Sequence, residues 1–211
     1  MNHFISLAPD LTQMITAIVN SDQLHARWLN TLSYLENCGA RKIAACEHPI
    51  LVKEEMLKHA AEEFRHAHFL KRQIEKVSPS PLPSYSKKEL LGGIASLNYL
   101  NALDIKTCRY LSEVLPINKI RETAYLLVTY AIELRANELY AIYDEQLRKL
   151  HSKVGVRSII AEEKEHLNEM IEGLHLLPFG MTYAQKVCTI EKELCTNWIK
   201  AVGSVFGSSA A

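Results

Sequence analysis

Ala60-Ala61-Glu62-Glu63-Phe64-Arg65-His66-Ala67 and its counterpart Ala161-Glu162-Glu163-Lys164-Glu165-His166 decide how this chain folds. Each holds a Glu-x-x-His pair, Glu63 with His66 and Glu163 with His166. A lone glutamate precedes each by about one helix length: Glu36 lies 27 residues before Glu63, and Glu133 lies 30 before Glu163. Residues three apart in an α-helix share a face, so the two side chains of each pair can turn toward one metal ion. A lone Glu from a neighbouring antiparallel helix completes each half. Two halves supply four carboxylates and two imidazoles.

A third pair, Glu172 with His175, shows that one match decides little and that the spacing of the whole set matters. His48-Pro49 breaks the first helical stretch, and a second turn is expected near His151-Ser152, with Gly155 close by. At about 1.5 Å per residue, Glu36, Glu63, Glu133 and Glu163 each sit roughly 20 Å from their turn, mid-bundle in both hairpins. Glu172 falls more than two turns deeper, and Glu47 and Glu55 lie too near the first turn. The candidate metal ligands are therefore Glu36, Glu63, His66, Glu133, Glu163 and His166.

The composition agrees with a single all-helical domain over residues 1–206, followed by a small-residue tail, 207–211, expected to be disordered. Apolar residues make up 48% of the 211, with only 8 Gly and 7 Pro. The formal net charge is zero, so no general attraction to nucleic acid or acidic membranes is expected. Met1 to Asp10 lack a basic start followed by an apolar run, and no stretch of 18 apolar residues occurs. Neither a secretory signal nor a membrane span is therefore expected. The five cysteines form no Cys-x-x-Cys pair, which argues for reduced thiols in the cytoplasm and against a zinc ribbon or iron–sulfur site.

Apolar periodicity predicts six helices: about 10–45, 49–76, 87–115, 118–150, 153–176 and 182–205. Ser78-Pro79-Ser80-Pro81-Leu82-Pro83-Ser84 is a firm break after the second. The third helix gives the chain the length to cross over, so that the second hairpin can pack on the first. The expected architecture is a four-helix bundle with a crossover helix and an additional C-terminal helix.

Helices two, four and five resemble those of the ferritin-like di-iron carboxylate superfamily. The resemblance rests on Ala60–Ala67, on Ala161–His166 and on Ala131-Ile132-Glu133-Leu134-Arg135-Ala136, and it spans about residues 28–170. Within the superfamily, Glu36-Asn37-Cys38, Glu62-Glu63-Phe64-Arg65-His66 and Ile132-Glu133-Leu134-Arg135 look most like the tRNA-modifying hydroxylases. The neutral charge offers no basic face for tRNA, and Gly39 is an unusual helix-interior residue beside the first ligand.

Carboxylates and imidazoles suit iron or manganese, and the absence of thiolates disfavours structural zinc or copper. The resemblance implies two iron ions, Glu36, Glu63 and His66 holding one and Glu133, Glu163 and His166 the other, with Glu63 and Glu163 bridging. It further implies an oxidoreductase, a monooxygenase or oxidase that uses dioxygen, an electron donor and an organic substrate, as a monomer or dimer. A ferroxidase or storage subunit is the alternative, and a scaffold with accidental Glu-x-x-His pairs is a third reading. The missing Cys-x-x-Cys module disfavours a peroxide-reducing, rubrerythrin-like role.

Neighbouring residues receive plainer readings. His59, one turn before Glu63 on the same face, could be a third histidine ligand or orient one, but is read as a partly exposed helix histidine; Tyr130 could hydrogen-bond a ligand, yet it and Tyr140 are read as core packing. Asp22 and His25 suit a polar contact at the bundle end. Glu62, Glu162 and Glu165 are expected to point into solvent. His3, His68 and His151 have no assigned partner.

Overall fold

The computed structural model describes residues 4–206, and among them apolar residues at helical spacing form seven α-helices and no strand. They are α1 (Ala8–Val19), α2 (Asp22–Cys46), α3 (Glu54–Gln73, ending in a 3-10 turn, Ile74–Lys76) and α4 (Ile94–Ser112). α5 (Ile117–Lys149), α6 (Arg157–Leu176) and α7 (Gly180–Gly203) follow. His3 and the expected tail at 207–211 lie outside the described residues.

The long first helix of the sequence reading is two helices. The chain breaks at Asn20-Ser21, where Ser21 is extended (φ −133°) and its hydroxyl accepts from the Leu24 amide at 3.4 Å. A serine cap of this kind satisfies one of the orphan donors at a helix start. α3 begins at Glu54 rather than Pro49, because His48 Nδ1 accepts from the amides of Ile50 (3.2 Å) and Leu51 (3.0 Å) and holds a local turn instead. α4 begins at Ile94 rather than Lys87. Gly92 and Gly93 take φ of 71° and 50°, a conformation that only glycine adopts freely, and the chain ahead of them is tied to α2. Arg27 donates to the Leu90 carbonyl (3.0 Å), Asn30 to those of Ser84 and Glu89 (3.0 and 3.1 Å), and the Leu91 amide to Thr31 Oγ1 (2.8 Å).

Direction follows from contacts between helices. Ser33 Oγ donates to the Ala67 carbonyl (2.6 Å) while Ile43 packs on Met56 and Ala60, so α2 and α3 run antiparallel. The Asn137 amide donates to the Glu163 carbonyl (3.2 Å) and Arg157 lies 3.5 Å from Asp144, so α5 and α6 are antiparallel as well. α3 faces α6 through Arg65–Glu162 and Lys58–Glu169. The ends of α2, α4 and α6 therefore meet the starts of α3, α5 and α7 at one end of the molecule.

α1 is held by one apolar stripe, Leu11, Met14, Ile15 and Ile18, all at most 3% exposed. Each such side chain contributes roughly 1.5–3 kcal/mol relative to exposure. α7 is fastened by stacked rings, Trp198 lying between Trp28 (5.7 Å) and Tyr99 (5.6 Å). It is also fastened by a buried ion pair, in which Arg135 makes two bonds of 3.0 and 2.8 Å to Glu191. No helix among the described residues is long and apolar enough to cross a membrane. None of the five cysteines is paired.

Candidate metal centre

Four helices bring the six sequence-derived ligands together, and a seventh side chain joins them. α2 contributes Glu36, α3 His59, Glu63 and His66, α5 Glu133, and α6 Glu163 and His166. They form two overlapping groups that can hold metal, Glu36–Glu63–His66–Glu163 and His59–Glu63–Glu133–His166, with the ligand atoms of each within 4.8 Å of one another. Glu63 belongs to both. His66 Nδ1 lies 3.1 Å from Glu163 Oε1 and 4.0 Å from Glu36 Oε2. His166 Nδ1 lies 3.6 Å from Glu63 Oε1 and 3.7 Å from Glu133 Oε1.

This grouping differs from the expected one in two respects. Glu163 groups with Glu36, Glu63 and His66 while still adjoining Glu133, and only Glu63 is common to both groups, where Glu63 and Glu163 were both expected to bridge. His59 is no exposed bystander. It is 2% exposed, its Nε2 lies 3.2 Å from Glu133 and 3.3 Å from Glu63, and its ring centroid is 4.0 Å from that of His166. His59, Glu63 and His66 lie at i, i+4 and i+7 on one face of α3, and Glu133 of α5 and His166 of α6 cover that face as far as His59.

Glu62 and Glu162, expected in solvent, instead make a crossed pair of bonds between α3 and α6. Glu162 Oε2 sits 2.9 Å from His66 Nε2, and Glu62 Oε2 sits 2.9 Å from His166 Nε2. One residue's rotation turns these side chains toward the facing helix rather than toward water. Arg65 pins Glu162 with two bonds of 2.9 and 2.7 Å. The signal for this lay in the repeated Glu-Glu doublet of both motifs. Tyr140 also departs from plain packing, since its hydroxyl donates to Glu36 Oε1.

Other readings hold. Tyr130 packs in an apolar cluster with Leu127 and Cys188. His25 shares a 2.6 Å hydrogen bond with Tyr143, away from the carboxylates. Glu172 and His175 are both exposed, as are Glu165, His68 and His151.

Crowded, buried carboxylates resist ionisation. Burial, then the neighbouring Glu163, pushes Glu63 up to about 8, and burial with Glu133 does the same to Glu163. Glu36 and Glu133 move upward as well, burial again leading. Burial pulls His66 down, but Glu163, Glu36 and Glu162 outweigh it and raise it to about 9. His59 and His166 are lowered, mainly by burial. Glu162 falls to about 2 because Arg65 bonds its charged form.

These residues fit a bound metal pair on an observation independent of charge. His66 Nδ1, His166 Nδ1, Glu163 Oε1 and Glu133 Oε2 are buried without a hydrogen-bond partner, and all belong to the cluster. Buried polar atoms are ordinarily satisfied. The outer nitrogens of both rings are occupied by Glu162 and Glu62, which is the arrangement that orients a histidine toward a metal. Beside the cluster, between α2, α4 and α5, lies a cavity of about 740 Å³ whose wall includes Glu36, His59, Glu63, Glu133 and Glu163. In comparisons with protein-family models, curated proteins and solved structures, nothing matches this chain.

Proposed function

We propose that the chain is a ferritin-like di-metal carboxylate protein, that the buried cluster holds two iron ions, and that it oxidises an organic substrate with dioxygen. In this reading α2, α3, α5 and α6 are the four-helix bundle, α4 is the crossover helix and α7 the additional C-terminal helix. Glu36, Glu63, His66 and Glu163 hold one ion, and His59, Glu63, Glu133 and His166 the other. When bound, a ferrous pair supplies the electrons that reduce dioxygen. Manganese is the other metal that this donor set accepts.

The observation that carries the reading is the pair of unpartnered Nδ1 atoms, on His66 and His166, aimed into four carboxylates, three of them buried and Glu36 nearly so, with their rings held by crossed glutamates. The residues have separable tasks. Glu62 and Glu162 accept from the outer Nε2–H of each ring and so orient Nδ1 toward the metals. Tyr140 holds Glu36 in place. The apolar wall keeps water from the substrate side. A cavity of about 740 Å³ opening onto the ligands supports an oxygenase over a ferroxidase, because an iron-handling site has no use for an apolar chamber.

Elemental analysis of protein expressed with iron tests the first half, with two ions per chain expected and a value near zero excluding it. Mixing di-ferrous protein with dioxygen tests the second half. A single two-iron oxidation that then stalls until reductant and substrate are added is expected, whereas retention of ferric iron far beyond two per chain would establish storage.

A further inference from the structure

We infer that the cavity is a tunnel for one elongated apolar chain with an anionic head, a fatty-acid-like amphiphile that enters at the end where α5 begins. The proposal deepens the oxidative reading by naming the class of substrate, but binding of the chain does not depend on the metals.

Shape is the first argument. Along α5 the cavity is lined from Ile117 to Tyr140 at three- and four-residue intervals. At 1.5 Å per residue this is about 35 Å, more than six turns of one helix. A chamber of that length suits an extended chain rather than a compact ring system.

Lining chemistry is the second. Leu35, Ile43, Leu100, Val128, Ile132 and Leu139 make the walls. The charged groups along the way are largely spent on each other: Lys42 pairs with Asp104, and Arg135 with Glu191. A polar substrate such as a nucleoside would find few free partners for its donors and acceptors. Toward the inner end, the wall is the carboxylate face of Glu36, Glu63 and Glu133, so a threaded chain brings its inner part to the metal centre.

The mouth supplies the third. Among the described residues Arg121 has no carboxylate within reach, and its guanidinium donates to the Ala45 carbonyl at the lip of the cavity. With Lys42 and Asp104 cancelling, one positive charge is left over at the entrance. The first turn of α5 adds to it, since Pro116 provides no side-chain cap. The rim is otherwise apolar and bare, Ile117 being 88% and Ile105 60% exposed. An anionic head on Arg121 with its chain inside satisfies both features.

The test is titration of the full-length protein, metal-loaded and metal-free, with saturated fatty acids from octanoate to palmitate. Trp198 lines the inner end and stacks on Trp28, the only other tryptophan, so intrinsic fluorescence reports filling of the tunnel. Affinity is expected to rise about four-fold per added methylene until the tunnel is full. Arg121→Gln, an exposed position that leaves the core intact, should weaken palmitate about ten-fold and leave 1-hexadecanol unchanged. Ile132→Trp should block long chains in both metal states. Should that variant not fold, the chain-length series and the head-group comparison on Arg121→Gln decide alone. Affinity independent of chain length, or equal loss of acid and alcohol, would overturn the proposal. Chain binding by protein that takes up no metal would refute the di-metal reading and leave the tunnel standing. Metal uptake without chain-length dependence would do the reverse.

Discussion

At the scale of single residues, the charges with the largest consequences are those beside the candidate ligands rather than the candidate ligands alone. Glu62 and Glu162 each hold the outer nitrogen of a histidine on the facing helix at 2.9 Å, and both side chains keep some contact with water. Glu62→Gln and Glu162→Gln should fold, yet bind metal 10- to 100-fold more weakly, the usual cost of losing an orienting partner. Competition with a chromophoric chelator measures this, and unchanged affinity would return both to the role of surface charges. His175→Ala should have no effect, since His175 is exposed. A second residue speaks through pH. His25 is 2% exposed and lowered to about 4, chiefly by burial, with Asp22 pulling the other way. Between pH 4 and 6.5 the unfolded chain then binds a proton that the folded one refuses. His25 therefore costs nothing above pH 6.5, and stability is lost as pH falls toward 4, by about 3 kcal/mol in full. Urea unfolding should show this extra slope in the wild type and not in His25→Gln. Parallel slopes would place the proton elsewhere.

Helices were legible where periodicity ran uninterrupted and illegible where a short polar contact broke it. The 3.6-residue period, the prolines at 79, 81 and 83 and the spacing of Glu36, Glu63, Glu133 and Glu163 located the hairpins and the depth of the site. The break at Asn20-Ser21 was missed because apolar residues continue on both sides of it, although Ser21-Asp22 is an ordinary helix start. His59 was missed for a different reason. Its burial depends on how far α3 is enclosed by α5 and α6, and no one-helix pattern encodes that. Glu62 and Glu162 were misjudged because the helical phase says which way a side chain points but not what stands there. The turn between α6 and α7 illustrates a positional demand that sequence does suggest. Pro178-Phe179-Gly180 reverses the chain with Phe179 at φ 60°, and a Cβ on Gly180 would lie 2.2 Å from the Leu174 carbonyl oxygen. Gly180→Ala should therefore cost at least ~1 kcal/mol, a fall of some 2–4 °C or more in Tm. Gly155→Ala, where a Cβ meets nothing within 4 Å, should stay within about 0.5 kcal/mol of wild type. Equal melting temperatures for the two variants would show that the α6–α7 turn relaxes freely.

For the molecule as a whole, four clustered glutamates, three of them buried, set the balance between folding and function. Without cations, Glu63 and Glu163 titrate near 8 and Glu36 and Glu133 are also shifted upward, so the folded metal-free protein retains protons that the unfolded chain has released. Groups raised in the folded state stabilise it below their unfolded pKa, and that stability is lost as pH climbs to the folded value. His66, raised to about 9, acts in the same direction, while the lowered His59 and His166 act against it. With four carboxylates and one histidine against two histidines, metal-free protein should become steadily less stable from about pH 4.5 to 8. Metal binding removes the conflict, because cations supply the compensating charge and the carboxylates enter the site deprotonated. Loaded protein should therefore not show this decline, and the gap in Tm between loaded and chelated samples should widen as pH rises through this window. Melting curves at pH 5.5, 7 and 8.5, with and without chelator, measure the gap directly. A gap that stays constant would mean that the four glutamates are compensated by something other than metal, and the cluster would then be a structural network of shared protons.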